Sequence, residues 1–191
     1  MKSQKRLIHK SYYIDSMKKK KLIPAIRFFL LFFSKELLIA QTDGATFTIY
    51  LIRHSEKDLL SENQLDPPLT TCGIERSKYL DSYFEDINIK NVYSTNYLRT
   101  IKTATPTASS KKATIQYYDS NNLKLFSEQL LNSKQNSLVV GHSNTTPILA
   151  GLLTGKDMKP FNEDIYNRIY KVIISQNNKK LFIFETSFDC N

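Results

Sequence analysis

Residues 46–53 read Thr-Phe-Thr-Ile-Tyr-Leu-Ile-Arg, so Phe47, Ile49 and Leu51 alternate with Thr48, Tyr50 and Ile52. A strand turns successive side chains to opposite faces, and here both faces are mostly apolar, as in a strand covered on both sides. Ser137 to Val140 is a second short buried strand, ending at Gly141. Strands of this kind belong to a mostly parallel sheet with helices above and below. The intervening segments supply those helices. Thr70-Thr71 caps a helix over Gly73 to Tyr83, with Ile74, Leu80 and Tyr83 or Phe84 turned inward. Asn91 to Tyr93 is a short strand. A helix from Asn96 carries Leu98, Ile101 and Thr105 on one side, and Pro106 predicts a break or bend. Thr114 to Tyr117 is a strand, Leu123 to Leu131 a helix, and Thr145 to Leu153 a helix ended by Gly155. Ile169 to Ile174 and Leu181 to Glu185 form a hairpin through residues 176–179, which adds an antiparallel edge. The fold class is α/β.

The chain has 191 residues and a formal charge of +9. Such a charge invites a nucleic-acid reading, but its distribution opposes one. Residues 1–40 hold ten basic and two acidic residues, a net +8; the remainder holds 17 and 16, a net +1. The body has no evident basic face for a phosphate backbone, so no nucleic-acid partner is expected. Lys18 to Lys21, the apolar stretch Leu22 to Phe33 and the terminal Ala40 resemble a secretory signal peptide, interrupted by Pro24 and Arg27. Residues 1–40 are therefore expected to be a leader and residues 41–191 one domain, exported to the periplasm. The alternative is an amphipathic helix on the domain or on a membrane surface, with membrane contact through residues 1–40, in a cytoplasmic or membrane-associated protein. No apolar run reaches the roughly 18 residues of a membrane-spanning helix. Cys72 and Cys190 lie far apart and are taken as unpaired.

In α/β sheets, sites form at the carboxyl ends of strands. Arg53-His54 follows the first strand, Arg99 opens the helix after Val92-Tyr93, and His142 follows Ser137 to Gly141. Two arginines and two histidines at three strand ends suit a phosphoryl group. Arginine offers paired donors in a fixed fork, and a neutral imidazole nitrogen can attack phosphorus. Neither a dinucleotide-binding glycine pattern nor a phosphate-binding P-loop is present.

These residues bring out a family resemblance. The chain resembles the histidine phosphatase superfamily, which has the phosphoglycerate-mutase-like fold. Its R-H-G motif stands here as Arg53-His54-Ser55-Glu56 after a strand. Its P-L-T-x-x-G motif stands as Pro68-Leu69-Thr70-Thr71-Cys72-Gly73. A third segment runs from Ser94 through Arg99 to Thr103-Ala104, and V-G-H stands as Val140-Gly141-His142. The resemblance spans residues 46–185. It implies a three-layer α/β/α sandwich and a phosphate-ester hydrolase that works through a phosphohistidine intermediate on His54. Arg53, Arg99 and His142 would form the phosphate pocket, with Ser143 and Asn144 as further donors or helix caps. No metal or organic cofactor is implied. Ser55 in place of the glycine is expected to need a strained backbone. The proton donor implied is Asp119, which also reads as a helix cap, or Glu56, which also reads as an arginine partner. The substrate is a small phosphorylated compound.

Three other readings stay open. One is a phosphohistidine phosphatase acting on protein. One is a member that binds phosphate without turnover. The last is a basic protein that binds surfaces through residues 1–40. A mutase is disfavoured, because only 42 residues lie between Arg99 and His142, too few for a large lid. Oligomeric state is left open.

Overall fold

The computed structural model describes residues 46–190. The expected leader, its export and its membrane contact fall outside these residues. Among the described residues no helix is long and apolar enough to cross a membrane.

Six strands form one sheet: β1 (Phe47–Arg53), β2 (Asn91–Ser94), β3 (Ile115–Tyr117), β4 (Ser137–Gly141), β5 (Arg168–Ser175) and β6 (Asn178–Glu185). Their spatial order is β3-β2-β4-β1-β5-β6. The first four are parallel, and β5 and β6 pair antiparallel at one side. Four helices cover it: α1 (Thr71–Tyr83), α2 (Leu98–Ser110), α3 (Leu123–Ser133) and α4 (Thr146–Thr154). The architecture is the mixed three-layer α/β/α sandwich expected.

The double-sided strand explains the layers. Phe47, Ile49 and Leu51 share a core with Phe126 and Leu130 of α3 and Leu149 and Leu153 of α4. Tyr50 and Ile52 face the other way, into a core with Leu80 of α1, Phe84, and Ala104 and Ala108 of α2.

Four local expectations need correction. Ile74 is 45% exposed; Leu80 and Phe84 are buried as expected, and α1 buries Gly73, Arg76 and Ser77 with them. In α2, Leu98 is exposed and the buried face is Thr100, Thr103, Ala104, Thr107 and Ala108. Small residues let α2 lie close to its neighbours, and the Thr100 and Thr103 hydroxyls find partners there, so polarity was a poor guide to the inward face. Pro106 does not break α2, which continues to Ser110. The hairpin turn is also tighter than expected: Ser175 already pairs with Asn178, leaving Gln176-Asn177 as the loop.

The caps behave as read. Thr70 accepts a hydrogen bond from the Gly73 N–H at 3.0 Å, and Gly155 ends α4 at φ +72°, where a side chain would be strained.

Cys72 and Cys190 form a disulfide, with Cα atoms 5.8 Å apart, which corrects the expectation that they stay unpaired. After β6 the chain returns across α1. There Arg76 donates to the Phe188 carbonyl at 3.1 Å, and its guanidinium lies 4.8 Å from the Phe188 ring. The 118-residue separation concealed this closure.

Candidate active site

Register brings the site together. Arg53 at the end of β1 pairs with Gly141 at the end of β4, and Ser94 of β2 pairs with Val140. The His54 N–H donates to the Gly141 carbonyl at 2.9 Å, which extends the ladder by one bond. The chain leaves β1 toward α1 on one face, and leaves β4 toward α4 on the other. The strand ends between them form the crevice in which ligands settle in such sheets. His54 and His142 face each other across it with ring centroids 5.5 Å apart.

His54 is 3% exposed. Its Nδ1 lies 2.7 Å from the Ser55 carbonyl oxygen. A carbonyl only accepts, so Nδ1 carries the proton and Nε2 keeps the lone pair. Burial, aided by Arg53, His142 and Arg99, lowers the His54 pKa to about 2, so the imidazole is neutral. Among non-glycine described residues only Lys112 and Lys134 have positive φ, so Ser55 holds this carbonyl without the strain expected of it. Its N–H is fixed by Thr103 Oγ1 at 2.9 Å, and that hydroxyl donates in turn to the Arg99 carbonyl.

The other expected pocket groups converge on a cavity of about 390 Å³ that Arg53, His54, Arg99, His142, Ser143 and Asn144 all line. His142 Nε2 lies 3.0 Å from Thr95 Oγ1, and burial with Arg99, Arg53 and Lys57 lowers its pKa to about 4. Thr95 is tied on to Thr100 Oγ1 at 2.9 Å. Arg99 is held by Asp66 at 3.4 Å and by the Tyr97 ring at 4.4 Å. Arg53 is 2% exposed, with its guanidinium 4.2 Å over Tyr166. The first turn of α4 follows Ser143 and Asn144, but Thr145 holds the cap position and its hydroxyl accepts from the His142 N–H at 3.1 Å.

Neither expected proton donor reaches this cavity. Glu56 turns away: its carboxylate grips Arg76, with Nη2 at 2.6 Å and Nε at 2.8 Å. A buried arginine needs a partner, and Glu56 supplies it. Asp119 is exposed and caps a turn instead, accepting from the Asn121 N–H at 2.8 Å. Ser120 and Asn121 line the cavity in its place.

Lys57, Tyr97 and Glu163 also line it, and the sequence reading did not single them out. Lys57 lies three residues after His54, which is a usable signal. Glu163 lies in the loop before β5, far from every motif, and nothing in the sequence marks it.

No curated protein sequence matches the chain. Solved structures share the fold at low identity. The protein histidine phosphatase SixA, solved with tungstate, is 18% identical at a TM-score of 0.61, covering 73% of this chain and 97% of its own. The alpha-ribazole phosphatase of Shigella flexneri is 16% identical at a TM-score of 0.61, covering 73% and 96%. A phosphoglycerate mutase of Bacillus anthracis is 17% identical at a TM-score of 0.52, covering 74% and 94%. Residues 49–124, which carry the first three motifs, match the model of the histidine phosphatase superfamily, branch 1. His142 closes the pocket behind those motifs, so the stretch of chain similar to the histidine phosphatase superfamily and the cavity lie together.

Proposed function

We propose that the protein hydrolyses small phosphomonoesters through a phosphohistidine intermediate on His54. The observation that carries this reading is the neutral, oriented imidazole: Nδ1–H is committed to the Ser55 carbonyl at 2.7 Å, which leaves Nε2 as the nucleophile. Arg53, Arg99 and His142 surround the same cavity, where the two arginines match the charge of a tetrahedral phosphate and His142 adds a ring nitrogen. SixA, a neighbour in fold, was solved with tungstate, another tetrahedral oxyanion. In-line attack by Nε2 transfers the phosphoryl group to His54, and water then releases phosphate.

A second reading, a phosphatase for protein phosphohistidine, is favoured by the withdrawal of Glu56 and Asp119 from the cavity, since that leaving group needs little protonation. Against it stands the Cys72–Cys190 disulfide. Such a bond persists in oxidising spaces, as the expected export to the periplasm would provide, away from phosphorelay proteins.

The test is hydrolysis of 4-nitrophenyl phosphate by the full chain, in chelator, beside His54→Ala. The expected result is turnover by the parent and a loss of about 10⁴-fold or more in the variant, as for removal of a nucleophile. Phosphate binding without turnover by folded parent protein would sink the catalytic reading.

A further inference from the structure

A carboxylate from outside the motifs reaches the phosphate pocket. Arg53 Nη1 donates to the backbone carbonyls of Glu163 and of Ile165, the latter at 3.4 Å, and its guanidinium stacks on Tyr166. The residue before the nucleophile therefore pins the backbone of the loop that follows α4. The Glu163 side chain hangs over the cavity from this anchor, with Oε2 3.9 Å from Arg53 Nη2 and 3.5 Å from Lys57 Nζ. It is 70% exposed, so its backbone is fixed while its carboxylate is free to swing. His54, His142 and Arg99 line the same cavity.

We propose that Glu163 is the general acid and base of the reaction, and that it serves phosphomonoesters with poorly leaving alkoxide groups. This rests on the phosphomonoesterase reading above. With substrate bound, the phosphate dianion takes over Arg53 and Lys57 and frees the Glu163 carboxyl from them, beside the leaving oxygen. His54 Nε2 donates its lone pair to phosphorus. The bond from phosphorus to the leaving oxygen breaks with its electron pair on oxygen, and the Glu163 carboxyl proton moves to that oxygen. The alcohol departs, leaving phospho-His54 and a carboxylate. Water then attacks phosphorus while Glu163 takes its proton, the phosphorus–nitrogen bond breaks with its pair on Nε2, and phosphate leaves. The neutral imidazole and the protonated carboxyl are both restored. No other acid among the sequence candidates lines the cavity, since Glu56 and Asp119 are committed elsewhere.

The experiment compares the full chain with its Glu163→Gln, Glu163→Asp and His54→Ala variants on 4-nitrophenyl phosphate and on glycerol 2-phosphate. An aryl oxide leaves with little help, whereas an alkoxide needs the proton. The expected result is that Glu163→Gln lowers kcat/KM for the alkyl ester about 10²-fold more than for the aryl ester. Glu163→Asp should recover part of the alkyl activity, and the alkaline limb of the alkyl pH profile should vanish in Glu163→Gln. Equal losses on both esters, gains on both, or a parent that never turns over the alkyl ester would overturn the assignment. Aryl hydrolysis that survives His54→Ala would instead overturn the reading beneath it.

Discussion

An imidazole in water is half protonated near pH 6.5, yet His54 is held neutral to about pH 2 and His142 to about pH 4. The same burial that keeps Nε2 of His54 nucleophilic makes the fold sensitive to acid. The unfolded chain takes up protons at these histidines as pH falls below 6.5, and the folded chain does not. Their contribution is present above pH 6.5 and is lost as pH falls toward 4, with a slope of about 1.4 kcal/mol per pH unit for each fully excluded proton. Urea melts at pH 7, 6 and 5 should show the parent weakening faster than a His54→Asn, His142→Asn double variant. Parallel curves for the two proteins would refute the account. At this scale the places of Arg53 and His54 were legible, because a strand end fixes where they must stand. The carboxylate of the cavity was not. Glu56 looks available in the sequence only because its partner Arg76 lies twenty positions away, and Glu163 reaches the pocket only because Arg53 captures its backbone.

Helices met the catalytic loop in a way that hydrophobic periodicity did not foretell. The faces read as inward in α1 and α2 ran through Ile74 and Leu98, but both are partly exposed and line an apolar groove. The inward faces also carry hydroxyls, an arginine and a glycine, and two of these meet the loop after β1: Gly73 packs on the Glu56 backbone, and Thr103 accepts from the Ser55 N–H. Gly73 is the sharpest case: a Cβ there would run into the Glu56 carbonyl and stand 3.0 Å from the Glu56 nitrogen. Gly73→Ala should therefore displace the loop that holds His54. The expected cost is about 1–3 kcal/mol of stability from overpacking, and roughly 10²-fold in aryl phosphatase activity from misplacing the nucleophile by about an ångström. Ile74→Ala, one position on and facing the groove, should leave the activity unchanged. If Gly73→Ala lowered stability with kcat/KM intact, the helix would not be what positions the loop. Strand positions, in contrast, were read to within a residue at each end, except that β6 begins at Asn178 rather than Leu181.

Across the whole molecule, the site is assembled by two independent devices. The parallel pairing of β1 with β4 and of β2 with β4 sets His54, His142 and Arg99 around one cavity. The Cys72–Cys190 disulfide closes the chain from the start of α1 to its last residues, a span of 118 positions that takes in every strand but β1. No local pattern in the sequence announces such a closure, because pairing depends on where β6 delivers the tail and not on spacing. A crosslink over so long a loop removes much unfolded-state freedom, worth about 4–5 kcal/mol in the chain-entropy account. Cys190→Ser should thus lower the melting temperature by roughly 10 °C or more. It should leave hydrolysis at 25 °C close to that of the parent, since the pocket is built from sheet register and the Glu56–Arg76 pair survives without sulfur. Calorimetry beside the aryl phosphatase assay separates the two devices. A variant that melts like the parent but has lost activity would mean that the crosslink acts on the loop at Glu56, which Arg76 joins to the tail, rather than on the unfolded chain.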